Sequence, residues 1–252
     1  MHIFLVNDDG IGSAGIMALL HAAVARGHRV TMCAPKQQQS AASHRITLAD
    51  PIFAAEWHSG VPSVRAFAIA GSPVDCVRVG LFNLTDAPVD VLISGINDGY
   101  NAGMAVYYSG TVGAAREGAL NGVPSIAASI HFNATQTMLD ALATRVIAVA
   151  EQYAQKPTPP CTLLNINAPS LEPASLKPEC YAPLSMSNFV DRYERRESPR
   201  SGTYFWLMEG CAREQPEPGS DQFLLDEGHI VYTLLGNPRS ASSSSWEALG
   251  IQ

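Results

Sequence analysis

The sequence has 252 residues, of which 46 % are hydrophobic and 15 % charged, a composition that is typical of a well-packed globular protein and excludes a disordered chain. Its formal net charge is −7 and it has no basic stripe, which argues against a nucleic-acid duplex as a partner. The five cysteines are scattered and include no C-x-x-C pair, which is typical of free thiols in a reducing compartment. The sequence also shows no signal-peptide pattern and no apolar run near the roughly 20 residues of a membrane span. We therefore expect a cytoplasmic protein without a membrane partner.

Apolar segments alternate with helix-forming segments over the first two thirds of the chain. In chain order the pattern predicts strand 2–6, helix 15–26, strands 29–34 and 64–70, helix 72–81, strand 89–93, helix 111–120, strand 125–130, helix 135–155 and strand 162–166. Such alternation predicts a parallel sheet that helices cover on both faces. Ligands bind beyond the carboxyl ends of the strands in sheets of this kind, so the loops after Val6, Ala34 and Ile93 are the candidate functional loops.

The composition changes after residue 168. Residues 169–220 are rich in Pro, Ser, Glu and Arg, and the segments TYFWLM (203–208) and HIVYTLL (229–235) are predicted to be strands. The last sixteen residues include SASSSSW, which is typical of a mobile linker or tail. We therefore expect two parts, an α/β core at 1–168 and a smaller β-rich extension at 169–252.

Three glycines in residues 10–15 follow the first strand with the spacing G-x-G-x-x-G, which favours a dinucleotide site. However, Asp8 and Asp9 stand at the mouth of that turn and would repel a pyrophosphate unless a cation lay between them. No acidic residue that could hold a ribose occurs again before Asp50. Two alternatives stay open, an NADP site in which Lys36 meets a 2′-phosphate and a simple solvated turn.

Oxygen-bearing side chains follow three of the predicted strands. Asp8 and Asp9 follow the first, Ser40 lies in the loop after the second, and Asn97 lies in the long glycine-rich loop at 94–110. Carboxylate, hydroxyl and amide oxygens are ligands for a hard divalent cation such as Mg²⁺, Mn²⁺ or Ca²⁺, and these motifs contain no Cys or His pair with zinc spacing. Two mechanisms stay open, a covalent aspartyl-phosphate and a metal-activated water.

The long loop runs directly into a helix at Ser109, Gly110 and Thr111. Free N–H groups at a helix start, together with the two hydroxyls, form a candidate anion site. The alternative is that Ser109 is a plain helix cap.

Seven segments of the chain match motifs of one known family. They are NDDG (7–10), AP (34–35) with the later Ser40, GSPVDCVRVGL (71–81), SGINDGYNAG (94–103), YSGTVGAAREG (108–118), LLNINAP (163–169) and DEGHIVYTLL (226–235). By these motifs the chain resembles the SurE family of survival proteins, which are metal-dependent 5′-nucleotidases. The resemblance extends over nearly the whole chain.

The resemblance implies a Rossmann-like three-layer core and a β-rich extension whose C-terminal arm is exchanged between subunits of a homodimer or homotetramer. It implies hydrolysis of nucleoside 5′-monophosphates with one divalent metal ion per subunit. The metal ligands of the family map onto Asp8, Asp9, Ser40 and Asn97. Its phosphate-binding groups map onto Asn101, Ser109, Gly110 and Thr111. Asp8 and Asp9 are the candidate catalytic proton acceptors, and the sequence does not choose between them.

The chain departs from the family pattern in three places. Ala41 follows the loop serine where glycine is usual, Met104 and Ala105 replace a common acidic pair, and residues 182–196 replace an arginine-containing motif. The last of these bears on substrate range and assembly. Two alternative functions stay open, a broad-specificity phosphomonoesterase and a non-catalytic nucleotide- or NADP-binding regulatory protein.

Overall fold

Strands and helices alternate along the chain in the computed structural model, which describes residues 1–187, 192–208 and 214–236. Its strands are β1 (His2–Val6), β2 (Arg29–Pro35), β3 (Ala54–Glu56), β4 (Arg65–Ile69), β5 (Val91–Asp98), β6 (Ser125–Ile130), β7 (Leu163–Ala168), β8 (Lys177–Tyr181), β9 (Tyr193–Ser198), β10 (Gly202–Leu207) and β11 (His229–Leu235). Its α-helices are α1 (Ala14–Ala25), α2 (Pro73–Val79), α3 (Gly110–Leu120), α4 (Gln136–Tyr153) and α5 (Asp221–Asp226). Within these ranges, no helix is long and apolar enough to cross a membrane.

Nine strands form one central sheet in the order β3-β4-β2-β1-β5-β6-β7-β11-β8. The six strands from β4 to β7 pair in parallel, whereas β3 runs antiparallel to β4 at one edge. At the other edge β11 runs antiparallel to β7 and parallel to β8. The predicted Rossmann-like α/β architecture with a mainly parallel sheet is confirmed.

Both faces of the sheet are buried, which is why its strands are continuous apolar runs. In β1 the side chains alternate, so that Ile3 packs with α1 and α4 on one face and Phe4 packs with α2 and α3 on the other. Both side chains have no exposed surface. Helix α2 begins at a capping box in which Ser72 and Asp75 bond each other's backbone N–H.

The residues after 168 divide between the central sheet and a separate hairpin. Strands β8 and β11 extend the sheet beyond β7, while β9 and β10 pair antiparallel as a two-stranded sheet of their own. The predicted strands in TYFWLM and HIVYTLL are present as β10 and β11. The predicted mobile tail lies outside the described residues.

One edge of the sheet collects the loops that follow β1, β2, β5 and β6. The chain moves from β1 to β2 in one direction and returns to place β5 on the other side of β1. A crevice opens beyond the carboxyl ends of parallel strands at such a reversal, and ligands bind there in this fold class.

Candidate active site

A cleft of about 370 Å³ lies at this reversal. The residues that line it come from all four loops: Asp8, Asp9, Gln38, Ser40, Ala41, Asn97, Asp98, Gly99, Tyr100, Asn101, Ala105, Tyr108, Ser109 and Phe132. The structure therefore brings together the four predicted metal ligands and two of the four predicted phosphate-binding residues, although they are up to 101 positions apart in the chain.

The turn after β1 is closed by Asn7 from within. Its amide nitrogen donates to the carbonyl of Gly10 at 2.9 Å and to Ser13 Oγ at 2.7 Å, and its Oδ1 accepts from the N–H of Gly10 at 3.2 Å. Because Asn7 supplies these bonds, Asp8 and Asp9 are not needed to close the turn. Both carboxylates line the cleft instead.

The glycines of the G-x-G-x-x-G pattern have local roles in this turn. Gly10 adopts a φ of +106°, in the region that favours glycine. A Cβ on Gly15 would lie 1.9 Å from the carbonyl oxygen of Ile96, so only glycine lets α1 approach β5 this closely. The exposed Gly12 has space for a side chain beside Trp57.

Asp8 is 5 % exposed and is held by Thr111, whose hydroxyl donates to Asp8 Oδ1 at 2.5 Å. Burial raises the pKa of Asp8 to about 6, and the neighbouring charge of Asp9 acts in the same direction. The Thr111 hydrogen bond partly offsets this rise because it favours the charged carboxylate. A divalent cation beside Asp8 would favour the charged form more strongly.

Asp9 is more accessible than Asp8 and is contacted from two loops. The backbone N–H of Asp98 donates to Asp9 Oδ2 at 3.3 Å, and the amide of Gln38 lies 3.4 Å from Asp9 Oδ1. Burial raises the pKa of Asp9, and the charge of Asp98 adds to the rise. The raised pKa values of these adjacent carboxylates reflect the cost of keeping two negative charges close together in a partly buried place, and a cation between them would remove that cost.

Ser40 and Asn97 complete the predicted ligand set. Ser40 lies in an exposed loop that is joined to the site by the N–H of Gln39, which donates to the carbonyl of Asp8 at 2.8 Å. The Asn97 amide nitrogen donates to the carbonyl of Gly99 at 2.8 Å, which turns Asn97 Oδ1 away from that carbonyl. Over the described ranges no three His, Cys, Asp or Glu side chains converge on a metal position, so a cation here would depend on these neutral oxygens as well.

The start of α3 lies against Asp8. Ser109 caps the helix through its Oγ, which accepts from the N–H of Val112 at 3.1 Å, and it also lines the cleft. Gly110 and Thr111 lie behind Asp8 and do not line the cleft. Thr111 is fully buried and its hydroxyl donates to Asp8, which gives this residue a structural role. Its phosphate-binding role stays a prediction.

Asn101 is fixed by a network that sequence reasoning missed. Its backbone N–H donates to Asn167 Oδ1 at 2.9 Å, its carbonyl accepts from the Asn165 amide at 2.8 Å, and its own amide donates to Ser129 Oγ at 2.8 Å. Asn165 and Asn167 alternate with apolar residues in the buried strand β7. Polar side chains at every second position of an otherwise apolar strand are the signal that identifies such a network.

Two further contacts hold the loops of the site. Buried Asp221 of α5 accepts the N–H of Gly103 at 3.0 Å and that of Ser185 at 2.8 Å, which ties the loop after β5 to the C-terminal part of the chain. His44 has a side-chain partner on α3, because its Nε2 lies 2.8 Å from Glu117 Oε2. That contact holds the end of the Ser40 loop on α3.

Comparisons with known proteins agree on one family. A family model described as "Survival protein SurE" matches residues 3–191. The chain is 38 % identical over 251 residues to the 5′-nucleotidase SurE of Synechococcus sp. (strain JA-3-3Ab), covering 99 % of this chain and 96 % of that protein. It is 36 % identical over 233 residues to the 5′-nucleotidase SurE of Thermosipho melanesiensis, covering 92 % and 90 %.

A solved structure shares the whole fold. The crystal structure of the SurE protein from Aquifex aeolicus superposes with a TM-score of 0.79 at 28 % sequence identity. The match covers 99 % of this chain and 98 % of that one.

Proposed function

The chain belongs to the SurE survival protein family, and from this premise we propose that it is a 5′-nucleotidase that hydrolyses nucleoside 5′-monophosphates to nucleoside and phosphate. The observation that carries the proposal is the cleft in which Asp8, Asp9, Ser40 and Asn97 meet at the carboxyl edge of the sheet. The relatives named 5′-nucleotidase SurE align with nearly the full chain, so the activity in their names applies to a protein of the same extent.

We propose that Asp8, Asp9, Ser40 and Asn97 hold one divalent cation per subunit, with Mg²⁺, Mn²⁺ and Ca²⁺ as the candidates. The donor set fits such an ion because it consists of oxygens, two of them anionic. When bound, the ion supplies positive charge for the phosphate and lowers the pKa of a coordinated water.

The remaining groups of the site position the phosphate and the proton acceptor. Asn101 lines the cleft and is held by three hydrogen bonds, so its side chain is already fixed in position before a phosphate binds. The Ser109 hydroxyl accepts from Val112 and retains its own proton to donate to a phosphate oxygen. Asp8 or Asp9 accepts the proton of the attacking water, and the Thr111 bond holds Asp8 in one orientation for this role.

We propose a homo-oligomer, a dimer or a tetramer, in the cytoplasm. The hairpin of β9 and β10 supports assembly because Tyr193, Phe205 and Trp206 are each more than half exposed on it. An isolated two-stranded sheet with exposed aromatic side chains is marginally stable alone and gains from burial against a partner. A reducing compartment accords with Cys33, Cys76, Cys161 and Cys180, which are all free thiols.

Phosphate release tests the proposed activity. The full-length protein is assayed with AMP, GMP, ribose 5-phosphate and NADP, with each of the three metals and with a chelator. We expect metal-dependent release from AMP and GMP, and we expect Asp8→Asn to reduce it by orders of magnitude without lowering the melting temperature. Equal rates on ribose 5-phosphate would favour a broad phosphomonoesterase, and NADP binding without any release would favour a regulatory protein.

A further inference from the structure

Glu117 of α3 is a buried carboxylate that the proposed mechanism does not use. It is 5 % exposed, and a carboxylate in such a place is costly unless hydrogen bonds and opposite charge compensate it. Three side chains do so: His44 Nε2 lies 2.8 Å from Oε2, Arg78 donates to Oε1 at 2.9 Å, and Asn121 donates to Oε1 at 3.1 Å. Because a carboxylate can only accept, the His44 ring carries a proton on Nε2 and donates it.

The three partners of this carboxylate come from different elements. Arg78 lies in the last turn of α2 and Asn121 follows α3, so both belong to the helices on one face of the sheet. His44 comes from the loop after β2, which also carries the predicted metal ligand Ser40. The bond between His44 and Glu117 therefore joins that loop to the helix behind the cleft.

Two residues that follow Ser40 hold backbone angles that L side chains rarely adopt. Ala41 has a φ of +55° and Ser43 has a φ of +53°, in the left-handed region that favours glycine. Residues other than glycine persist there only where the surrounding contacts hold them. The loop therefore needs fastening just after Ser40 if it is to keep its shape beside the cleft.

The contacts that fasten this loop lie along α3. The N–H of Ser43 donates to the carbonyl of Tyr108 at 2.9 Å, and its hydroxyl donates to the carbonyl of the preceding residue at 2.7 Å. A Cβ on Gly113 would lie 2.3 Å from the Ser43 carbonyl oxygen, so the loop backbone rests directly on the helix. One helical turn beyond Gly113, Glu117 accepts from His44 and adds a side-chain bond to these backbone contacts.

Helix α3 also carries the groups that order Asp8. Thr111 near its start donates to Asp8 Oδ1, and Ser109 just before the helix lines the cleft. One end of the helix thus orients Asp8, while its middle holds the loop that carries Ser40. Two predicted ligands of the cation are therefore set relative to each other through α3.

We propose that His44 and Glu117 are positioning residues for the divalent cation, and that the bond between them holds the Ser40 loop in its metal-binding position. The inference rests on the proposed metal site of the nucleotidase and adds to it two residues that do not line the cleft. A metal binds only the fraction of molecules whose ligands are in place, so a loosened loop weakens its apparent affinity. Saturating metal restores the wild-type arrangement.

Titration calorimetry of the metal-free protein with Mn²⁺ tests this role in two variants of His44. His44→Phe keeps a ring but loses the donor. A hydrogen bond to a charged group corresponds to a factor of about 10 to 150 in an equilibrium constant, and we expect the Mn²⁺ dissociation constant to rise about 10-fold because the bonds of Ser43 remain. His44→Gln keeps a nitrogen donor, so its Mn²⁺ affinity should stay close to the wild-type value.

Amide hydrogen exchange gives a second measurement that needs neither metal nor substrate. In the metal-free protein, residues 39–44 should exchange faster in His44→Phe than in wild type, because local opening of the loop becomes easier. At saturating Mn²⁺ the KM and kcat for AMP should return to near the wild-type values.

Two variants serve as matched controls. His28→Phe breaks a histidine–glutamate contact of the same 2.8 Å length, between His28 and Glu151, outside the cleft and the Ser40 loop. Arg78→Met removes the partner that α2 supplies to Glu117. Both should leave Mn²⁺ affinity and loop exchange unchanged, even where the melting temperature falls. Wild-type Mn²⁺ affinity in His44→Phe, or an equal loss in either control, would overturn the proposal.

Phosphate release from AMP separates this inference from the proposed activity. If AMP is not hydrolysed but His44→Phe alone weakens Mn²⁺ binding, the positioning role stands and the nucleotidase function fails. If AMP is hydrolysed and all variants bind Mn²⁺ as tightly as wild type, the function stands and the positioning role fails. A wild-type protein that binds no Mn²⁺ would reject the metal site and the positioning role together.

Discussion

The hydrogen bond between Thr111 and Asp8 leads us to predict that Thr111 contributes to metal affinity. Thr111→Val removes the hydroxyl that donates to Asp8 Oδ1 and nearly keeps the side-chain shape, at a position with no exposed surface. A hydrogen bond to a charged group contributes about 1.5–3 kcal/mol, which corresponds to a factor of about 10 to 150 in an equilibrium constant. Because the lost bond holds a proposed metal ligand, the metal dissociation constant should rise by about that factor.

Titration calorimetry with Mn²⁺ measures this effect directly, and the metal concentration for half-maximal AMP hydrolysis measures it independently. At saturating metal most of the activity should return. Thr111→Ser keeps the hydroxyl and serves as the matched control, so its metal affinity should remain near the wild-type value. If Thr111→Val binds Mn²⁺ as tightly as wild type but shows a raised KM for AMP, Thr111 holds the phosphate and the reasoning from Asp8 is refuted.

Three further predictions concern the loops and the assembly. Gly15→Ala places a Cβ 1.9 Å from the carbonyl oxygen of Ile96, so it should lower the melting temperature by several degrees in a thermal scan; an unchanged value would mean that the two backbones separate freely. The hydrogen bond from His44 lowers the pKa of Glu117, so Glu117 stabilises the fold above its unfolded pKa and this stabilisation is lost as pH falls through the folded value. The unfolding free energies of wild type and Glu117→Gln should therefore differ most near neutral pH and converge in acid, whereas a pH-independent difference would contradict this linkage. Trp206→Glu should reduce the mass measured by light scattering, and an unaltered mass would remove the hairpin from the interface.

The sequence predicts the buried strands well because a strand covered on both faces is a continuous apolar run. Strands β1 and β6 begin and end where the pattern predicts. The prediction fails for β3, β8 and β9, whose residues are mostly exposed and whose sequences show no apolar alternation. Strand β8 depends on a partner from a distant part of the chain, β11, whereas β3 and β9 each pair with the next strand along the chain.

The candidate site is likewise predictable from the sequence only in part. The cluster of Asp8, Asp9, Ser40 and Asn97 can be anticipated because the carboxyl ends of parallel strands meet at one edge. The contact between Thr111 and Asp8 cannot be predicted from the sequence. A threonine at a helix start can cap the helix, bind an anion or donate to a side chain 103 positions away. Phe132 gives no sequence signal either, because an aromatic residue in a loop shows its exposure only in the folded structure.

The bonds that Asp221 accepts from Gly103 and Ser185 have a consequence for the timing of synthesis. The ribosome makes Asp8 among the first residues, yet the loop that faces it is fastened by a side chain made more than 200 residues later. A nascent chain that has formed β1 to β7 can hold Asn101 through Asn165 and Asn167 but still lacks the bond that fixes Gly103. The last contacts that fasten this loop therefore become available only when most of the chain has been made, and a chain that stops before α5 has neither of them.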